Sequence, residues 1–354
     1  MKAGIIGLPG SGKSTLWCLL TGTLDGPDPA QVGRLQSKTV KIRDERLERL
    51  RDDYQPKKYT PATIELGDFP AVKRDEDDRA GIAELLAPAR AMEVLIVVLR
   101  GFETAFLQEA SDPLRDWEEI AAELLLSDLV IVEKRVEKLQ VQAKKPTPTQ
   151  AEDRKELELM ERVRSHLEGG STLVDFPFND SERKTVHGYQ FLSQKPQVPV
   201  INRSETFSNA DLVESLREKT ECELFDVPAL NELEIEQLSE DERDAFREEL
   251  GVVPGTRDAI LAQCYRAAGL HSFFTAGDKE VRAWTIRTGE TAVEAAGEIH
   301  SDIARGFIRA ETLSYEDYVQ CDGHKVAKET GQLRLEGKEY LVKDGDIIEF
   351  RFNV

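Results

Sequence analysis

Cysteine is scarce in this chain. The four residues, Cys18, Cys222, Cys264 and Cys321, lie far apart with no C-x-x-C pair, so their spacing spells neither a zinc cluster nor a disulfide framework. Scattered thiols fit a reducing compartment, and a cytoplasmic protein is expected. Histidine is nearly as thin: His166, His187, His271, His300 and His324 form no metal-like or triad-like group. No apolar run reaches the roughly 20 residues that a membrane helix needs, and the stretch from Ala3 to Leu8 is too short for a secretion signal. No membrane role is expected. Positive charge is also short, with 47 Lys and Arg against 67 Asp and Glu, a net −20. A surface of that sign repels nucleic acid and anionic lipid over most of its area, so any RNA contact has to be local.

What is present is enough for real cores. The chain has 354 residues, 40% hydrophobic and 32% charged, which predicts two to three domains and excludes global disorder. Ala3–Ile6, Ala62–Leu66 and Val94–Leu99 read as strands, with Thr15–Leu20 helical, and the same texture resumes at Val198–Ile201 and Leu224–Val227. Strands that are apolar throughout belong to a sheet covered on both faces. Between these blocks Leu129, Val132, Val136 and Leu139 recur at helical spacing, as do Leu157, Met160, Val163 and Leu167, with Lys144–Thr149 as the break. That pattern predicts an antiparallel helical hairpin inserted into an α/β domain. From His271 on, a strand at Val281–Ile286, a T-x-x-E capping box at Thr291 and Glu294, and closing strands at Tyr340–Val342 and Ile347–Phe352 point to a small α+β domain. The expected division is 1–120 with 190–270 for the first domain, 121–189 for the arm and 271–354 for the last.

The strongest chemical signal is Gly7-Leu8-Pro9-Gly10-Ser11-Gly12-Lys13-Ser14, followed by Thr15. It satisfies G-x-x-x-x-G-K-[ST] after a strand and before an apolar helix. The glycines let backbone N–H groups turn onto phosphates, Lys13 reaches the β and γ oxygens, and the Ser14 hydroxyl can ligate Mg²⁺. The loop alone does not choose a reaction, since small-molecule kinases carry it too. Asn202-Arg203-Ser204-Glu205 follows the strand ending at Ile201, where a GTPase-like fold reads the base.

With those two motifs stand Gln55-Pro56-Lys57-Lys58, Pro61–Glu65, Val132–Arg135, Phe274–Gly277, Lys279–Trp284, Gly306–Glu311 and Asp344-Gly345-Asp346. Together they resemble the YchF family, also called Obg-like ATPases, over nearly the full chain. The resemblance implies a P-loop, GTPase-like (Ras-like) doubly wound α/β sheet, an inserted antiparallel coiled-coil arm and a C-terminal α+β domain of β-grasp (TGS) type. It implies ATP with Mg²⁺ as ligands, GTP less favoured because N-x-x-E replaces N-K-x-D, and the ribosome or ribosomal RNA as partner. Carried over by residue, Gly7 to Thr15 hold phosphate, Asn202, Arg203, Glu205 and Ala229 face the base, and Ser14 and Asp68 hold the metal. Ala229 is included, for an amide contact to adenine, because Pro228-Ala229-Leu230-Asn231-Glu232 stands where the family has S-A-x-x-E, with Pro228 in place of the Ser.

The chain departs from the family in its switches. Asp68-Phe69-Pro70-Ala71 replaces D-I-A-G; Ala71 adds a methyl and Pro70 removes an amide donor where the γ-phosphate is sensed. Thr23 and Thr39 are the candidates for the threonine that closes over Mg²⁺, and neither has a matching flank. The loop Arg100–Phe106 lacks the family's water-positioning His. No catalytic residue is assigned, and hydrolysis is expected to be slow. The competing expectations are a binding-only adaptor, a true GTPase and a small-molecule kinase, and the oligomeric state is left open.

Overall fold

A computed structural model describes residues 1–24, 26, 36–69, 86–104, 110–207, 209–220, 222–250 and 252–353. The chain divides into two compact units, 1–38 with 65–264 and 39–64 with 265–354.

In chain order the elements are β1 (Lys2–Gly7), α1 (Lys13–Thr21), β2 (Gln36–Lys41), α2 (Glu45–Tyr54), β3 (Lys58–Thr60), β4 (Thr63–Asp68) and β5 (Val94–Gly101). Then come α3 (Pro113–Gln142), α4 (Gln150–Glu168), β6 (Gln197–Arg203), β7 (Phe225–Val227) and α5 (Ala229–Glu236). The last stretch holds β8 (Leu270–Ala276), β9 (Glu280–Arg287), α6 (Ala292–Ile299), β10 (Phe307–Leu313), β11 (Arg334–Glu336) and β12 (Ile347–Phe352). Short unlabelled helices fill several of the connections.

The first sheet runs β2-β4-β1-β5-β6-β7, and the pairs β4/β1, β1/β5, β5/β6 and β6/β7 are parallel. All eight residues of β5 are buried, as expected of a central strand covered on both faces. Register places the strands' carboxyl ends side by side: Ile5 opposes Asp68, Gly7 opposes Val98 and Gly101 opposes Arg203. In open parallel sheets ligands bind at that edge.

The helical hairpin α3–α4 carries Val132, Val136, Leu139, Leu159, Met160, Val163 and Leu167, each no more than 4% exposed. Its first helix starts earlier than the periodicity indicated, because Trp117, Ile120 and Leu124 still pack into the sheet's core. A buried carboxylate roots it: Asp128 accepts from Arg90 Nη1 at 2.5 Å, the Ser193 amide at 2.8 Å and the Ser193 hydroxyl at 2.7 Å. A charge with no water needs that many donors.

The second unit holds a mixed sheet ordered β11-β10-β12-β8-β9-β3. On one side α6 sets Ala292, Ala295 and Ala296 against Phe273, Phe307 and Phe350; the Thr291–Glu294 capping box opens that helix. Tyr340–Val342, expected as a strand, contributes a single bridge from Leu341 to Thr291. Residues 39–64, expected in the phosphate-loop domain, group with this unit through α2 and β3, while β2 and β4 at either end of the stretch pair in the first sheet. The cause is specific pairing: β3 runs parallel to β9, and Arg46 on α2 donates to Asp344 at 2.9 and 3.0 Å and lies over the Phe274 ring.

Candidate functional site

The phosphate loop is built by backbone conformation. β1 stops at Gly7 and α1 starts at Lys13. Gly12 is the N-cap, at φ +82°, and no side chain caps the helix, so the first-turn N–H groups of α1 are left for an anion. A Cβ on Gly12 would sit 2.0 Å from Asn202 Nδ2, and one on Gly7 would sit 2.7 Å from the Val98 carbonyl. Both positions therefore need the residue without a side chain. Lys13 is only 9% exposed, and its Nζ donates to the Gly7 and Leu8 carbonyls at 3.1 and 3.2 Å. Burial lowers its pKa to about 8, with Asp68 pulling the other way. Placed at a helix N-terminus beside inward amides, this cation is matched to a polyphosphate.

Asp68 ends β4, and burial raises its pKa to about 6 while Lys13 opposes the rise. Its Oδ1 is buried with no hydrogen-bond partner, an arrangement that costs free energy until something positive meets it. Ser14 is exposed on the first turn of α1. A hydroxyl and an unmatched carboxylate oxygen are the hard donors Mg²⁺ takes alongside phosphate oxygens. Among the described residues no three His, Cys, Asp or Glu cluster as a metal site, and a metal held partly by its phosphate ligand requires no such cluster.

The base end is a cavity of about 470 Å³ lined by Thr15 of α1 and by residues of three further segments, Phe102 and Glu103, Asn202 to Thr206, and Leu230 and Asn231. Of the four residues expected at the base, three line it and one does not. Asn202, 5% exposed, uses its amide nitrogen to donate to the Ser11 carbonyl at 3.2 Å, so it braces the phosphate loop from β6. Arg203 Nε lies 3.1 Å from Asp226 Oδ1 on the neighbouring strand. Glu205 Oε1 accepts from Asn231 Nδ2 at 2.6 Å. Ala229, expected to meet the base by its backbone amide, is fully buried at the start of α5 and does not line the cavity, whereas the next two residues, Leu230, 60% exposed, and Asn231, do.

Phe102, Leu230 and Asn231 are the residues sequence reasoning missed. Phe102 follows a recognisable strand end, and Leu230 and Asn231 lie inside the stretch already compared with S-A-x-x-E. Of the switch residues, Pro70, Ala71, Ala105 and Phe106 fall outside the described residues. Thr23 follows the C-terminal end of α1, its hydroxyl 2.7 Å from that of Thr21. Thr39 is exposed on β2.

A parallel sheet whose first strand feeds such a loop into a helix, with Asp68 on the next strand, defines a P-loop protein of GTPase-like α/β fold. Comparisons with known proteins narrow the class. A family described as 50S ribosome-binding GTPase matches residues 2–135, and the YchF GTPase C-terminal family, described as a protein of unknown function, matches residues 270–353. The ribosome-binding ATPase YchF of Bacillus subtilis (strain 168) is 36% identical, with all of both chains covered. Its namesake in Escherichia coli O157:H7 is 35% identical over all of this chain and 99% of that one. The solved structure of the Schizosaccharomyces pombe YchF GTPase superposes with a TM-score of 0.81 at 26% identity, covering 99% of this chain and 97% of that one. The chain belongs to the YchF family.

Those names disagree about the base, ATPase in the bacteria and GTPase in the yeast, which leaves the choice to the cavity's own chemistry.

Proposed function

We propose that this chain is a ribosome-associated, cytoplasmic nucleotide-binding protein that takes ATP with Mg²⁺ in preference to GTP and hydrolyses it slowly, using the nucleotide mainly to change its affinity for the ribosome. The buried Lys13 at a helix N-terminus, facing the unmatched Asp68, carries the nucleotide part of this reading. Ser14 and Asp68 would hold Mg²⁺, which neutralises β- and γ-phosphate charge when bound. Around it this chain's residues cradle the phosphates through backbone N–H groups between Gly10 and Ser14, Pro9 having none to give, and present Lys13. Slow turnover follows from Ala71 and Pro70 in place of the γ-phosphate sensor and from the missing loop His.

The ribosome part rests on the full-length likeness and on one local charge reversal. From His271 to Val354 there are 11 basic and 16 acidic residues, whereas from Lys134 to Lys155 seven basic stand against three acidic. The exposed Lys144 and Lys145 sit at the hairpin's turn. Of the basic residues in the second unit, Arg305 is engaged by Asp302 and Arg282 lies 3.8 Å from the Trp284 ring centroid, so the hairpin tip is the better RNA contact. Ribosome cosedimentation at low salt should be strongest with ATP and should weaken on charge reversal of Lys144 and Lys145 more than of Arg305 and Arg309. Absence of cosedimentation with every nucleotide would favour the adaptor reading, and single-turnover hydrolysis at a fast rate would remove the slow-turnover part.

A further inference from the structure

The contact between Asn231 and Glu205 bears on which base the cavity admits. A carboxylate is acceptor-only, and two free oxygens can take the adjacent N1–H and N2–H₂ donors of guanine side by side. Adenine offers one donor, its N6 amine, next to the N1 lone pair, which a carboxylate repels. In this chain the carboxylate is not free. Asn231 Nδ2, from another segment of the cavity's lining, donates to Glu205 Oε1 at 2.6 Å, a charge-assisted bond that restrains the group and occupies one of its oxygens. The acceptors that remain are the second Glu205 oxygen and the Asn231 amide oxygen, a set suited to one exocyclic amine. Phe102 and Leu230 supply apolar surface for the ring, and Arg203, beside Asp226, is not positioned to supply a compensating donor.

We propose that Asn231 is a specificity-determining residue for the base: by tethering Glu205 it denies guanine the two-oxygen fork and so favours adenine. The inference rests on the nucleotide-binding reading above and adds to it a residue that selects the ligand. Its partner Glu205 would be the guanine acceptor if released.

The test is titration of the full-length protein with ATP and with GTP, each with Mg²⁺, for the unaltered chain, Asn231→Ala, and Asn231→Ala combined with Glu205→Gln. The single variant should bind GTP about tenfold tighter relative to ATP than the unaltered chain, a change of about 1.4 kcal/mol. In the double variant that gain should disappear, because a side-chain amide offers only one acceptor oxygen. Mg²⁺-tripolyphosphate, which has no base, should compete equally well with all three. An unchanged ATP-to-GTP ratio in Asn231→Ala overturns the proposal, as does a gain that survives Glu205→Gln. If the unaltered chain binds neither nucleotide nor tripolyphosphate, the nucleotide-binding reading itself falls. A loss of tripolyphosphate binding in Asn231→Ala alone would also overturn the proposal, by showing damage to the phosphate end.

Discussion

The two ends of the nucleotide site are made in different ways. At the phosphate end nine consecutive residues do the work, with the backbone as ligand and glycine as the enabling side chain. At the base end side chains come together from segments scattered between Thr15 and Asn231, and the Glu205–Asn231 contact is exposed. A backbone site tolerates little change and is expected to respond steeply to substitution. A side-chain site at a solvated rim should respond in small steps and can be retuned. Substitutions at the two ends should therefore differ in the size of their effects.

Lys13→Met should have the largest effect. It keeps the buried length of the side chain but removes the cation, and at least a hundredfold loss of ATP affinity is expected from losing charge-assisted bonds to phosphate. The melting temperature should hold, since Lys13 is buried against its own preference, with a pKa lowered to about 8. Equal thermal stabilisation by ATP in variant and unaltered protein would contradict the role of the loop.

Gly12→Ala comes next. It forces an L-residue to φ +82° and drives a methyl toward Asn202 Nδ2, 2.0 Å from the built position. Left-handed strain alone costs about 1–2 kcal/mol, so a lower melting temperature should accompany at least a tenfold loss of affinity. Asn202→Ala in the same background should recover part of the stability, because it removes the atom that is struck. Failure to recover any would mean that strain at φ, and not the brace from β6, dominates.

The phosphate end should also respond to pH on both sides. In the free chain Asp68 titrates near 6 and Lys13 near 8, each displaced first by burial and partly restored by the other. Mg²⁺–ATP needs the carboxylate ionised and the amine protonated, so affinity should plateau between those values and fall on either side, by up to about tenfold per pH unit. Asp68→Asn should remove the acid limb while lowering the plateau; an acid limb unchanged in that variant would belong to the nucleotide's own phosphate. Stability of the ligand-free chain moves the opposite way. The raised Asp68 contributes stability that is present at low pH and lost as pH rises through about 6, and the lowered Lys13 disfavours folding at neutral pH, a penalty relieved above about 8.

How much could be read from the sequence follows the same division. Gly7 to Thr15 were legible because a backbone cradle must be contiguous and its glycines and lysine fall at fixed intervals. The α/β strands and the hairpin seam were legible because apolar spacing reports burial within one element. The membership of residues 39–64 in the second unit was not, since it depends on Arg46 meeting Asp344 about 300 residues away and on β3 finding β9. Phe102, Leu230 and Asn231 escaped for the same reason: nothing local marks a leucine or an asparagine as the wall of a cavity. Ala229 is placed by motif position alone, for a backbone-amide contact to the base, and its neighbours Leu230 and Asn231 line the cavity beside it.

Arg203 gives the smallest expected effect and the sharpest test of the base end. By motif position it belongs with the base-reading residues, and it does line the cavity. Its guanidinium, however, is directed at Asp226, with Nε 3.1 Å from Oδ1 and both side chains partly exposed. Asp226 itself is raised in pKa by burial, with Arg203 as the main opposing charge. An arginine used this way holds β6 to β7 and contributes little to a ligand, and partly exposed ion pairs are worth roughly 0–1 kcal/mol. Arg203→Ala should therefore change ATP affinity by less than about threefold and leave the ATP-to-GTP ratio where it was. The melting temperature should fall slightly, and Asp226→Asn should produce no further fall when combined with it, because the two residues act as one pair. A tenfold loss of ATP affinity in Arg203→Ala would show that the guanidinium leaves Asp226 when nucleotide binds, and would make the base end a third polar contact richer than the Glu205–Asn231 pair alone.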